Sequence, residues 1–254
     1  MDLLDDQLVS IITPCYNSEA YISNTIESVI SQTYVNWEMI IVDDCSTDKS
    51  ADIIKRYAET DKRIIYIKTE VASGSPTLPR NVAISNARGR FIAFLDSDDI
   101  WEKDKLYLQL PQLMKKDVAI VYSYYEKITE EGERSGRIVK SAPIHTYSSL
   151  LYGNEIACLT AVVDITKVGK VYFEKVGHED YVMWLSILKM GFIAKNIPIS
   201  LARYRVRKSS VSSNKMRAVK WVWNIYRNIE KKTLLASIFY SLIDLSKSFK
   251  KSLI

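Results

Sequence analysis

Three carboxylates within four residues, Asp96, Asp98 and Asp99, form the densest polar cluster in the chain, and they follow directly on the apolar run FIAFL at 91–95. A protein core cannot compensate that much negative charge, so the cluster must sit at a strand's mouth with water, a cation or both. Five consecutive apolar residues read as a strand buried on both faces, as parallel sheets require. The carboxyl ends of such strands are where open α/β sheets hold ligands. A hard divalent cation wants oxygen ligands and takes one or two carboxylates together with phosphate oxygens. In this reading Asp98 is the metal ligand, Asp96 its second contact or a ribose partner, and Asp99 the cap of a helix beginning at Trp101.

Four further groups could serve the same ligand. Thr13, Pro14, Tyr16 and Asp44 would give a base a surface to stack on and a carboxylate for its N–H edge; packing by Tyr16 and a helix cap at Asp43 and Asp44 are the competing reading. Arg80 follows a Gly/Pro loop and would bring a guanidinium toward phosphate or ribose oxygens. His178, Glu179 and Asp180 head a helix, where a carboxylate is stabilised as the anion and can act as a base on an acceptor hydroxyl; a plain helix cap competes evenly. Arg203, Arg205, Arg207 and Lys208 put basic side chains along a strand before the SSVSSN loop, either to clamp a leaving diphosphate or as a solvated edge.

The elements that must position these residues are regular. Strands are predicted at 8–13, 38–42, 63–67 and 91–95, with Pro14 ending the first. Helices fall between them, capped by Asn17 or Ser18 and by Thr47 or Asp48, with Pro79 in the first turn of the third. This alternation gives a mostly parallel, doubly wound sheet. Beyond it come a helix over 101–115, a strand at 118–122, hairpin-like pieces to 141, a strand at 157–164, a helix over 179–190, and antiparallel strands at 192–194 and 199–206. Residues 1–214 are one domain, with a nucleotide-binding half of about 1–123 and an acceptor half of about 124–214; residues 215–254 form a basic, amphipathic helical tail.

Composition narrows the classes. The chain has 254 residues, 47% hydrophobic and 26% charged, which is ordinary for a globular protein. Its three cysteines show no disulfide or zinc spacing and read as small buried residues of a reducing cytosol. The N-terminus lacks a basic leader and no run reaches membrane-spanning length. The net charge of +5 is set by the tail, where nine lysines and arginines face only Glu230 and Asp244. The main body is therefore slightly acidic, which argues against a nucleic-acid groove.

In order and spacing, VSIITPCYN, IVDDCSTD, PRNVAISNARGRFIAFLDSDD, HEDYVMWLSILKMGF and YRVRKSSVSSNK resemble the family-two inverting glycosyltransferases. The likeness covers residues 8 to about 214 and is strongest toward bacterial surface-polysaccharide enzymes of the teichuronic acid type. It implies a GT-A fold, a UDP-sugar donor, and manganese or magnesium at the DxD motif, here Asp96, Ser97 and Asp98. Thr13, Pro14, Tyr16 and Asp44 would hold the uridine, Arg80 would lie by the donor, and Asp180 would match the base. Arg207 stands where many relatives carry a histidine, which implies charge neutralisation in place of a second protein ligand. The acceptor would be a glycan or lipid-linked glycan at the inner face of the cell membrane, with the tail on the membrane, on its own domain or in a homodimer. A silent nucleotide-sugar-binding scaffold is the alternative from another class. A sugar nucleotidyltransferase or a dehydrogenase would need a Gly-rich phosphate loop after the first strand, which TPCYNSEA lacks.

Overall fold

The first half of the chain alternates strand and helix. β1 (Val9–Cys15), β2 (Trp37–Asp43), β3 (Ile64–Lys68) and β4 (Phe91–Phe94) are joined by α1 (Ile22–Ile30), α2 (Ser50–Thr60) and α3 (Thr77–Asn86). The computed structural model describes residues 7–207 and 215–253; residues 1–6, Lys208 and the SSVSSN loop lie outside them. Next come β5 (Ile100–Trp101), α4 (Lys105–Leu113), β6 (Val118–Ile128), β7 (Arg134–Val139), β8 (Ile144–His145), α5 (Tyr147–Leu150), β9 (Val162–Asp164), α6 (Ile165–Val168), α7 (Glu179–Lys189) and β10 (Ile193–Arg205). The tail is α8 (Lys215–Asn224), a π-helical turn at Ile225–Ile229, and α9 (Leu234–Leu253).

The sheet runs β3-β2-β1-β4-β9-β6-β10-β5. β3, β2, β1 and β4 are mutually parallel, β9 is antiparallel to both β4 and β6, and β10 runs parallel to β6. This is a mixed α/β fold with a mostly parallel sheet. The strand sequences are continuously apolar because both faces are covered: Ile11 and Met39 pack toward α1, α2 and α4, while Ile12 and Ile40 pack toward α3 and α7.

Several local expectations are corrected. β1 does not stop at Pro14 but continues to Cys15, pairing with β2 throughout. Ile12 offers its carbonyl to Leu95 on the β4 side, so Pro14, two residues on, turns its missing donor toward a ladder that has already ended at Phe94. Trp101 belongs to a strand and not to a helix: it pairs with Ala202, and its indole N–H donates to the Leu159 carbonyl. Long-range pairing thus overrides the local preference. The helix therefore starts only at Lys105, and Asp99 is no cap; its Oδ1 accepts from the Arg205 backbone N–H at 2.9 Å. The pieces expected at 192–194 and 199–206 are one strand, bulged near Ile197 and Ser200, whose long partner β6 is parallel and whose short partners β5 and β8 are antiparallel. The expected side-chain cap on α1 is absent, its N-cap residue being Tyr21; at α2 Asp48 does accept from the first helical N–H, that of Ser50, at 2.9 Å, one residue ahead of the backbone N-cap Lys49.

The tail packs on the domain. Val222, Ile225 and Tyr226 join the core beside α7, and the Tyr226 hydroxyl meets that of Tyr181 at 2.9 Å. Trp221 lies over the turn before α7, where a methyl added to Gly177 would come within 1.9 Å of its ring. Gly177→Ala is expected to displace that indole and lower stability by roughly 1–3 kcal/mol. A thermal melt checks this, and adding Trp221→Ala should return most of the loss.

Candidate functional site

The site is built where β1, β2 and β4 end together. The turns after β1 and β2 clasp each other: Asn17 donates its backbone N–H to Ser46 Oγ at 3.0 Å and accepts on Oδ1 from the Thr47 N–H at 2.8 Å. Asn17 and Cys45 both sit in the left-handed region, with φ of 46° and 60°, a conformation that side chains adopt only when the surroundings hold it. The carboxylate loop after β4 is pinned in turn. Thr25 Oγ1 lies within hydrogen-bond distance of the carbonyls of Ser97 and Asp99, and Ser97 Oγ shares a hydrogen bond of 2.7 Å with Ser18 Oγ.

These turns enclose a cleft of about 470 Å³. Of the residues singled out in the sequence, Pro14, Tyr16, Asp44, Arg80, Asp96, Ser97, Asp98 and Arg207 line it. Thr13 does not: it is fully buried behind the wall, with its hydroxyl unpartnered among the described residues. Tyr16 is half-exposed on the wall, as a stacking surface must be. Asp44 is largely committed to the wall itself, accepting from Thr69 Oγ1 at 3.0 Å and from the Ser73 N–H and hydroxyl at 3.0 and 2.8 Å. It therefore shapes the 69–75 loop as well as facing the cleft. Cys15, also on the wall, is no nucleophile, because burial pushes its thiol up to about 12.

Two guanidinium groups organise the charges. Arg80 is buried and forks, donating at 2.7 Å to Asp96 Oδ1 and at 2.7 Å to Glu179 Oε1, with its carbon end over the Phe173 ring. Arg207 Nε pairs with Asp98 Oδ2 at 2.9 Å. Burial first, then the neighbouring Asp96 charge, holds the Asp98 carboxyl above the usual carboxylate range in spite of Arg207. Arg205 closes the same corner, donating to the Asp98 carbonyl at 2.8 Å and the Glu130 carbonyl at 2.8 Å, and both arginines lie against the Tyr21 ring. Arg203 is drawn off the cleft by a two-pronged pair with Glu102 at 2.8 and 2.9 Å. Lys208 falls outside the described residues.

Asp180 lies outside the cleft wall, at the start of α7. Its Oδ2 accepts from Asn154 Nδ2 at 3.1 Å and its Oδ1 from the Tyr181 N–H at 2.8 Å. The neighbouring Glu179 is taken by Arg80, which leaves Asp180 as the carboxylate of this pair without a cation among the described residues. His178, left-handed at φ 55°, stacks edge-on against Trp221 and holds no acid. Asn154 behind Asp180 is the residue missed in the sequence; Glu179 and Arg205 are singled out there, but not as the far end of the Arg80 fork and the inner wall. Glu179 and Arg205 reach partners about a hundred residues away, and no local pattern announces such pairs.

A divalent cation fits this donor set without a dedicated protein cage. No group of three histidine, cysteine or acidic side chains poised for a metal occurs among the described residues. Asp96 and Asp98 each retain free lone pairs on the cleft wall, the one-or-two-carboxylate supply that suits a cation completed by phosphate oxygens.

Comparison with known proteins identifies the family. Residues 10–165 match the family described as glycosyl transferase family 2. The chain is 41% identical over 225 residues to the putative teichuronic acid biosynthesis glycosyltransferase TuaG of Bacillus subtilis (strain 168), covering 88% of this chain and 89% of the relative. It is 42% identical over 240 residues to the UDP-Glc:alpha-D-GlcNAc-diphosphoundecaprenol beta-1,3-glucosyltransferase WfgD of Escherichia coli, covering 94% and 92%. Among solved structures, S. aureus TarS in complex with UDP-GlcNAc superposes with a TM-score of 0.72 at 22% identity, over 90% of this chain and 68% of that one. The mannosyltransferase PcManGT of Pyrobaculum calidifontis, in complex with GDP-Man and Mn2+, gives 0.67 at 20% identity over 89% and 64%. At those identities the likeness is one of fold.

Proposed function

The chain belongs to glycosyl transferase family 2 and has the GT-A fold, and on that premise we propose that it moves a sugar from a UDP-sugar donor to a glycan or lipid-linked glycan, with inversion, in bacterial surface-polysaccharide synthesis. The observation that carries this reading is the Arg80 fork, which fixes the carboxylate loop and the head of α7 in one geometry. A donor-holding loop and a candidate base held in mutual register are what a direct displacement needs.

The parts then take these roles. Tyr16 and Pro14 stack the base, and Asp44 supplies the acceptor at its edge while holding the 69–75 loop. Asp98 and Asp96 would hold manganese or magnesium, which when bound neutralises diphosphate charge. Arg207 and Arg205 lie where the diphosphate would leave, and stabilise the charge that grows there in the transition state. Asp180 takes the proton from the attacking acceptor hydroxyl. Thr13 sits one layer back and supports the wall.

The test is release of free UDP from a panel of sugar nucleotides with Mn2+ and a glycan or prenyl-linked acceptor; binding of donor without any release would favour the scaffold reading. Asp98→Ala sharpens it. Calorimetry with UDP should show the Mn2+-dependent part of the affinity falling roughly tenfold or more, while metal-free binding holds or rises because Arg207 is released. An undiminished metal effect would remove Asp98 from that role.

A further inference from the structure

α9 is turned the opposite way from an ordinary surface helix. Its inward face carries Ser237, Ser241 and Asp244, all buried, while Leu234, Leu235, Ile238, Phe239 and Leu242 point outward. Positions 234, 238 and 242 with 235 and 239 share one side at helical spacing, and 237, 241 and 244 share the other. Leu235 is 80% exposed and Leu242 65%. An apolar strip of this size on the outside of a helix is a contact surface awaiting cover.

Charge decides what covers it. The tail's two acids are both withdrawn: Glu230 is bonded by Lys189 and Tyr147 with its side chain 3% exposed, and Asp244 is buried against Gly153. Lys220, Arg227 and Lys231 are exposed, while Lys247 is paired with Glu155 at 2.6 Å, so the outer surface of the tail's described side chains is apolar and cationic, without an exposed acid. A second copy would bring like charge against like charge; an anionic lipid surface offers both the opposite charge and the apolar interior. No helix among the described residues is long and apolar enough to cross a membrane, so the contact is one of lying on it.

We propose that the outward face of α9, with the lysines beside it, docks this enzyme flat on an anionic bilayer. The proposal rests on the transferase reading only in naming what the docking is for: Phe239 of the outward face packs on Tyr152, two residues before the Asn154 that donates to Asp180, so the docked surface adjoins the end of α7 where a membrane-held acceptor would arrive.

Vesicle binding is scored without any transfer reaction, so the two readings fail separately. The full chain is sedimented with vesicles of phosphatidylglycerol and phosphatidylcholine, and with phosphatidylcholine alone. Binding to the anionic vesicles only, weakened by salt, is expected. Leu235→Ser with Leu242→Ser should lower partitioning at least ~10-fold, as should Lys220→Glu with Lys231→Glu, each with an unchanged melting midpoint because all four sites are exposed. Transfer to a water-soluble acceptor should be untouched in both variants. Equal binding to neutral vesicles, or no binding at all, overturns the proposal. So does a dimer in analytical ultracentrifugation that the Leu235/Leu242 variant abolishes, which would assign the face to a second copy.

Discussion

Asp180→Asn is expected to lower kcat by ~10² or more while leaving UDP-sugar affinity and the melting midpoint near wild type. The asparagine keeps the shape and an acceptor for the Tyr181 N–H or for Asn154, so neither α7 nor the 154 turn has cause to move. What it loses is the capacity to take a proton. The choice of Asp180 over its neighbour follows from geometry. Glu179 is clamped by Arg80 at 2.7 Å, and a carboxylate held against a buried guanidinium is poorly placed to swing onto a sugar hydroxyl. Glu179→Gln should therefore act through Arg80 and donor binding, raising KM more than it lowers kcat. Transfer by Asp180→Asn at near the wild-type rate, together with a large kcat loss in Glu179→Gln, would exchange the two roles.

Arg80→Met is the variant expected to damage stability and activity together. The side chain is 6% exposed and bridges two carboxylates that would otherwise face each other without a cation. Removing one partner from such a group typically costs about 3–5 kcal/mol, and the lower end applies here because Asp96 is one-third exposed and water can screen it. The urea midpoint should fall accordingly, and kcat/KM should fall with it because the carboxylate loop and α7 lose their common anchor. Arg80→Lys restores the charge but replaces the two-pronged planar fork with a single ammonium point, which cannot hold both carboxylates in the arginine's geometry; it should recover stability without recovering activity. In the double variant with Glu179→Gln, the stability losses should be less than additive, since each removes the same contact. Strict additivity would mean that the bridge is not the unit described here.

The elements buried on both sides were the legible part of the fold. β1 to β4 are unbroken apolar runs that end in polar turns, and that signature needs no knowledge of the partners. Pro14 and Trp101 were misplaced because their conformations are decided elsewhere, Pro14 by where β4 stops and Trp101 by a strand a hundred residues later. The single strand β10 was read as two because its bulge interrupts the alternation. At the site, the three acids and Arg80 were visible because they are close in sequence and too polar for a core. The Arg80–Glu179 and Arg205–Asp99 contacts were invisible because each joins distant segments. In α9 the apolar stripe was plain from its spacing, but spacing gives a face and not its direction; the burial of Ser237, Ser241 and Asp244 settles which side meets the protein.

The cleft also has an order of assembly written into its chain path. Its acids arrive with β4, early in the sequence, whereas Arg205 and Arg207 come at the end of β10, the last strand to be placed. β10 pairs with β6 over ten register positions, a long parallel match made across all of the chain from β7 to α7, and pairings of that kind form slowly. Until it docks, Asp98 and Asp99 have no cation over them and repel one another at the mouth of an otherwise finished half-sheet. The strand that closes this end of the sheet therefore also brings the arginines that offset its crowded carboxylates, and the cleft wall of a nascent chain is finished only once β10 is in place.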